Sequence, residues 1–220
     1  MNDKPERMAE GISEPMAEPM SDTVPAHGNP DILIRDAAKP SWGAPSFSLG
    51  NRVRRAAWGL AWLLLARWTP SPLHAWRCLL LRLFGARLGR GVVVYASVTV
   101  WDPRNLDMAE KASLGPRVIC YNMAKISLGA YAVASQGAHL CAGSHRTDDP
   151  NFQLISKPIA IGARAWVAAD AFVGPGVTIG DGAVLGARGV ATRDLPAWTI
   201  WAGNPARQIR TRPILTGHAG

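Results

Sequence analysis

His145 stands in CAGSHRTDDP, where a series of short apolar blocks gives way to a stretch, Arg146 to Ala160, that matches no block around it. Imidazole titrates near neutrality and can take a proton from a hydroxyl during attack on an acyl carbon, a contribution of ~10²–10⁴-fold. The other histidines are less well placed: His27 and His218 lie towards the termini, His74 begins a helical pattern, and His139 belongs to the preceding block. Asp148 and Asp149 follow His145 closely and could orient it or a sugar, or simply be solvated. Trp166 is expected to project near the loop, where it either lines the site or packs on a neighbouring subunit. Asn122 could hydrogen-bond a substrate or form a turn. There is no GxSxG, HExxH or GxxxxGK[ST], and the glycines of VGPGVTIGDG fall on a repeat instead of forming a phosphate loop. No competing catalytic machinery appears, and base assistance by His145 requires no metal.

The element that must position these residues is legible in Ile161 to Thr192, which reads IGARAW-VAADAF-VGPGVT-IGDGAV-LGARGV-AT. Ile161, Val167, Val173, Ile179 and Leu185 open successive blocks of six, each followed by a small residue. A second small or β-branched residue, Ala165, Ala171, Val177, Ala183 or Gly189, stands four places along. Period six fits neither an amphipathic helix nor an alternating strand. It fits a triangular solenoid of short parallel strands, aliphatic residues inward and small residues at the corners. Looser hexads begin at Leu88, with phase slips near Leu106 and near Cys120 to Met123. An extruded loop at about 146–160 interrupts them, and a strand or helix is expected to fold back after Asp194.

The rest of the chain is simpler. Residues 1–46 are rich in Pro, Met, Ala and acidic side chains without a sustained period, and are expected to be disordered. Residues 47–86 contain two apolar, Arg-flanked runs separated by Thr69-Pro70-Ser71-Pro72, which offers an N-cap, and are expected to form a helical cap. The first run is too short to span a membrane, which takes ~20 apolar residues. The pair either packs on the end of the solenoid or also docks on a membrane surface through residues 52–84, with Trp58, Trp62, Trp68 and Trp76 at headgroup level. Residues 87–203 form the solenoid and 204–220 a C-terminal extension. The net charge is +8, and its concentration after residue 50 suits anionic partners such as a phosphorylated cofactor or a membrane. Nucleic acid is disfavoured, because the cations are not interleaved with stacking aromatics. Cys78, Cys120 and Cys141 form no even framework and no CxxC, and read as reduced residues of a cytoplasmic protein. The first residues lack the apolar core of a secretory signal.

SHRTDDPNFQLISKPIAIG, the hexads that follow, and PAWTIWAGNPARQI together resemble the hexapeptide-repeat acyltransferases. Within them the chain is most similar to the colanic acid biosynthesis acetyltransferases, relatives of galactoside and maltose O-acetyltransferases. The resemblance covers roughly residues 47–212 and is most specific at His145 with its loop, at Lys157 to Gly162, and at Gly203 to Arg207. It implies a left-handed parallel β-helix with a short helical cap, a homotrimer with sites between neighbouring prisms, and acetyl-CoA as donor. It implies His145 as general base and Asn122 and Trp166 at the acceptor and transfer site; Asp148, read from its place in the loop, is the further candidate for binding the sugar. Ala169, Ala187, Thr192 and Arg193 fall where the family contacts the pantetheine arm and phosphates, with Arg207 and Arg210 nearer the nucleotide. Arg193 stands where Lys is frequent, and Ala169 where Ser occurs. The implied acceptor is a sugar hydroxyl on a surface polysaccharide or a lipid-linked saccharide. An amine or xenobiotic acceptor, and a non-catalytic scaffold at a membrane surface, are the alternatives.

Overall fold

Hexads become the three sides of a prism. A computed structural model describes residues 29–33 and 46–214. Its first side stacks Arg87–Leu88, Leu106–Met108, Ile126–Leu128, Ile159–Ile161 and Thr178–Ile179 in parallel. The second side stacks Val93–Val94, Ser113–Leu114, Val133–Ala134, Trp166–Val167, Val184–Leu185 and Thr199–Ala202, and Arg207–Thr211 then adds antiparallel to the last. The third stacks Thr99–Val100, Ile119–Tyr121, His139–Cys141, Phe172–Val173 and Val190–Ala191. Ile161, Val167, Val173, Ile179 and Leu185 all point inward, none more than 2% exposed. Each contributes on the order of 1.5–3 kcal/mol by leaving water.

The small residue after each aliphatic is required for a reason other than turning the chain. A Cβ on Gly129 would lie 2.5 Å from the Ala163 nitrogen, and one on Gly180 2.5 Å from the Ala197 nitrogen. The next coil leaves no room for it. The corner itself is made two residues after the small residue, at Arg164, Asp170 and Arg188, with φ of 57°, 56° and 57° in the left-handed region.

The phase slips have one location. Stacked partners Leu88, Met108 and Leu128 are 20 residues apart, Leu128 and Ile161 are 33 apart, and Ile161 and Ile179 are 18 apart. Every lengthening falls at the corner between the third and first sides. In the first coil it holds a 3₁₀ turn, Pro103–Asn105, and in the second Asn122 to Lys125. In the third it grows into an arm. Instead of an irregular loop from Arg146 to Ala160, the arm is a hairpin that begins earlier, pairing Gly143–His145 antiparallel with Leu154–Ser156. The chain is back in the prism by Ile159.

Helix α1, Leu49–Leu65, starts where Ser48 Oγ accepts from the Asn51 N–H, and α2 is His74–Leu83. No side chain of the Thr69 to Pro72 turn caps α2. Arg77, fully buried, holds that turn instead, donating to the carbonyls of Pro70, Ser71 and Val94 and to Thr69 Oγ1. The helices cover the first coil, with Trp58 Nε1 donating to the Val100 carbonyl at 2.8 Å. Trp58 and Trp62 therefore face the prism, which corrects their expected place at headgroup level, while Trp68 and Trp76 are exposed. Within the tail expected to lack order, Asn29 to Leu33 are seated on the prism: Asn29 and Ile32 are buried, and Ile32 bridges to Phe47. The remainder of that tail expectation, and residues 215–220, lie outside the described residues.

Candidate active site at one edge of the prism

The lengthened corner is braced from inside. Asn122 is fully buried. Its Oδ1 accepts from the backbone N–H groups of Trp101 and Asp102 at 3.0 and 3.1 Å, and its Nδ2 donates to the Asp102 carbonyl at 2.6 Å. Oδ1 is thus satisfied twice and Nδ2 once, which leaves one amide hydrogen beyond the bracing set. Asn122 ties one coil to the next at this corner. Around it Ile32, Met123 and Leu154 form a small second core against Phe47, Trp101 and Tyr121. The base of the arm is thus packed on both the corner and the N-terminal segment, and Gln153 Nε2 donates to the Leu33 carbonyl.

This packing fixes His145. The residue is exposed at the end of its strand, and its Nδ1 lies 2.8 Å from the Phe152 carbonyl across the hairpin. A carbonyl oxygen only accepts, so Nδ1 carries the hydrogen and the lone pair is on Nε2. The ring stacks on Phe152 with centroids 4.8 Å apart and planes 17° from parallel. The imidazole is held in one tautomer and one plane, ready to take a proton at Nε2. Orientation by Asp148 or Asp149 is replaced by that carbonyl: Asp148 is exposed in the arm and Asp149 Oδ1 accepts from the Asn151 N–H. No residue type marks a backbone carbonyl in a sequence, so this partner had no signal to be found by.

The remaining expected residues divide between two edges. Thr192 and Arg193, both exposed, follow the last third-side strand, Val190–Ala191, and so stand on the same edge as the arm. Ala169 and Ala187 stack on the other edge of the third side, where the Ala169 carbonyl accepts from the Arg188 N–H at 2.9 Å. Trp166, 46% exposed, stands beside that edge on the second side and donates from Nε1 to Ser135 Oγ at 2.8 Å. Arg207 and Arg210 are exposed on the terminal strand of the second side. Within one chain, then, His145 shares one edge with Thr192 and Arg193, and Trp166 stands beside the edge of Ala169 and Ala187, with the third side between.

Two further features escaped sequence reasoning. Arg55 lies over Trp101, its guanidinium carbon 3.8 Å from the ring centroid. Asp31 accepts from Asn51 Nδ2, Arg54 and Arg104 at 3.1, 2.8 and 3.1 Å. The Asn51 amide first, then the two guanidinium groups, hold the Asp31 carboxyl below the usual carboxylate range despite its partial burial. An acidic residue in a low-complexity stretch gives no hint of such a role. Among the described residues no cluster of three or more His, Cys, Asp or Glu side chains could hold a metal ion.

A hexad prism broken once by an arm that presents an oriented histidine defines a hexapeptide-repeat acyltransferase. No family model matches the chain, but individual relatives do. WcaF of Escherichia coli K12, named as a colanic acid biosynthesis acetyltransferase, is 42% identical over 166 residues, 76% of this chain and 91% of the relative. The chain belongs to the colanic acid biosynthesis acetyltransferase family of hexapeptide-repeat enzymes. The solved maltose O-acetyltransferase of Clostridium difficile 630 superposes with a TM-score of 0.69 at 24% identity, over 76% of this chain and 90% of that one. The acetyltransferase VCA0836 of Vibrio cholerae, complexed with acetyl coenzyme A, gives 0.69 at 23% identity, over 76% and 91%. The shared fold is the left-handed parallel β-helix.

Proposed function

We propose that the enzyme transfers the acetyl group of acetyl-CoA to a sugar hydroxyl of a surface polysaccharide or of its lipid-linked precursor, with His145 as general base. The observation that carries this reading is His145 itself, exposed at the root of the arm with Nδ1 committed to Phe152 and Nε2 unencumbered. The hydroxyl would donate its proton to Nε2 as its oxygen attacks the thioester carbon. Collapse of the tetrahedral adduct then breaks the carbon–sulfur bond, and the imidazolium returns the proton to the departing thiolate. The products are an acetyl ester and free CoA. The acceptor class is supported by the relative named for colanic acid biosynthesis, and the donor by the relative solved with acetyl coenzyme A.

The two-edge arrangement supports a homotrimer. A flat side of a prism offers no groove, but apposing the His145 edge of one copy to the Ala169 and Ala187 edge of another would make one. Small side chains there let a pantetheine arm lie against the backbone, and Arg193, Arg207 and Arg210 offer cations to its phosphates. Acetyl-CoA places the reaction in the cytoplasm. The decisive experiment measures thiol release from acetyl-CoA with sugar acceptors, alongside amine acceptors, for wild type and His145→Ala. The variant should lose ~10²–10⁴-fold in kcat while binding CoA calorimetrically as wild type does. Near wild-type turnover would refute the assignment.

A further inference from the structure

The two helices bury one face each and leave the other apolar. In α1, Asn51, Trp58 and Trp62 point to the prism. The residues opposite recur at Leu49, Val53, Leu60 and Leu64, spacing that keeps them on one stripe of the helix. In α2 the buried residues are Arg77, Cys78, Leu80 and Leu81, and the outward ones Trp76, Leu79 and Leu83. Leu64, Trp68 and Leu83 are 65%, 80% and 72% exposed. Trp76 Nε1 donates to the Leu65 carbonyl at 2.8 Å, which joins the two stripes into one surface. Solvent-facing helix surfaces are ordinarily polar, so a surface of this kind marks a docking site.

Charge identifies what docks. No acidic residue stands between Asp36 and Asp102, a stretch that holds both helices. Arg52, Arg67, Arg87 and Arg90 are exposed in it. A second copy brought against this surface would set arginine against arginine with no carboxylate from either helix pair to neutralise them. A layer that is apolar below and phosphate-bearing above satisfies both features at once, with leucines and tryptophans in its acyl boundary and guanidinium groups at its headgroups. A groove of about 520 Å³ shares Leu63 and Arg67 with this surface and is also lined by Arg55, Ser97 and Thr99, polar groups suited to a headgroup.

We propose that the outward faces of α1 and α2 seat the enzyme on an anionic bilayer as a peripheral, non-spanning contact. Among the described residues no helix is long and apolar enough to cross a membrane. The surface is independent of the chemistry at His145, so either assignment can fail without the other.

Flotation of the full-length protein with vesicles tests it, using phosphatidylcholine alone and phosphatidylcholine with about one third phosphatidylglycerol. Wild type should float with the anionic vesicles, weakly with the neutral ones, and less at high salt. Leu60→Glu/Leu64→Glu, at exposed positions, should lower the partition coefficient at least about ten-fold, and Arg52→Glu/Arg67→Glu should remove the preference for anionic lipid. Both variants should keep the wild-type melting temperature and thiol-release rate with a soluble acceptor. Wild type that stays at the bottom of the gradient with anionic vesicles overturns the proposal, as does a leucine variant that floats undiminished. So would assemblies larger than a trimer that dissolve in the leucine variant without any vesicle binding, since the surface would then join copies of this chain.

Discussion

His145 takes its orientation from a main-chain oxygen, and this changes what substitution around it should do. Phe152→Ala removes the stacked ring but keeps the carbonyl, so kcat should fall only about 3–10-fold, the scale of one aromatic contact. Asp148→Asn and Asp149→Asn should leave kcat within about two-fold of wild type, because neither carboxylate holds the imidazole. A hundred-fold loss in either Asn variant, in the same thiol-release assay, would return the orienting role to a carboxylate. The break that carries His145 was legible because the hexads stop there. The bracing role of Asn122 was not legible, because the two backbone N–H groups it serves leave no mark in the sequence.

Among the elements, two attachments respond differently to perturbation. Asp31 docks the N-terminal segment through Asn51, Arg54 and Arg104. Its carboxyl titrates below the usual range, so the stabilisation is fully present above the unfolded pKa, near pH 4, and is lost as pH falls through the lower folded value. Limited proteolysis across about pH 6 to 3 should find this segment becoming cleavable at the acid end while circular dichroism of the prism is unchanged. Arg77→Met should instead loosen the cap, leaving several carbonyls unpaired at a cost of about 2–4 kcal/mol, read as a lower denaturation midpoint. Period six was enough to foresee the prism, since one aliphatic per side is a geometric signature. The hairpin was not foreseeable as one, because Arg146 to Ala160 carries no alternation. Nor was the Arg77 clamp, because buried and solvated arginines in an apolar helix read alike.

For the molecule as a whole, the placement of site residues on two edges predicts that activity belongs to the assembly. His145→Ala and Ala187→Glu should each be inactive alone. Co-expressed in equal amounts, they should recover about a quarter of wild-type activity, because a site drawing its two walls from neighbouring copies is intact in one pairing of four. Recovery of nothing would place both walls in one chain. Which residues share an edge was hidden in the sequence by the uneven coils: spacings of 20, 33 and 18 residues scramble any fixed count until the partners are known. Those unequal coils also bear on how such an enzyme can change. All the added length enters at a single seam, while the other two corners and the wedge of aliphatics keep their count. Added length there leaves the three stacks intact, so the tip of the arm between Arg146 and Asn151 can be exchanged while His145, Phe152 and the packed base are kept: such an exchange should change acceptor preference in the thiol-release assay while CoA affinity stays that of the host.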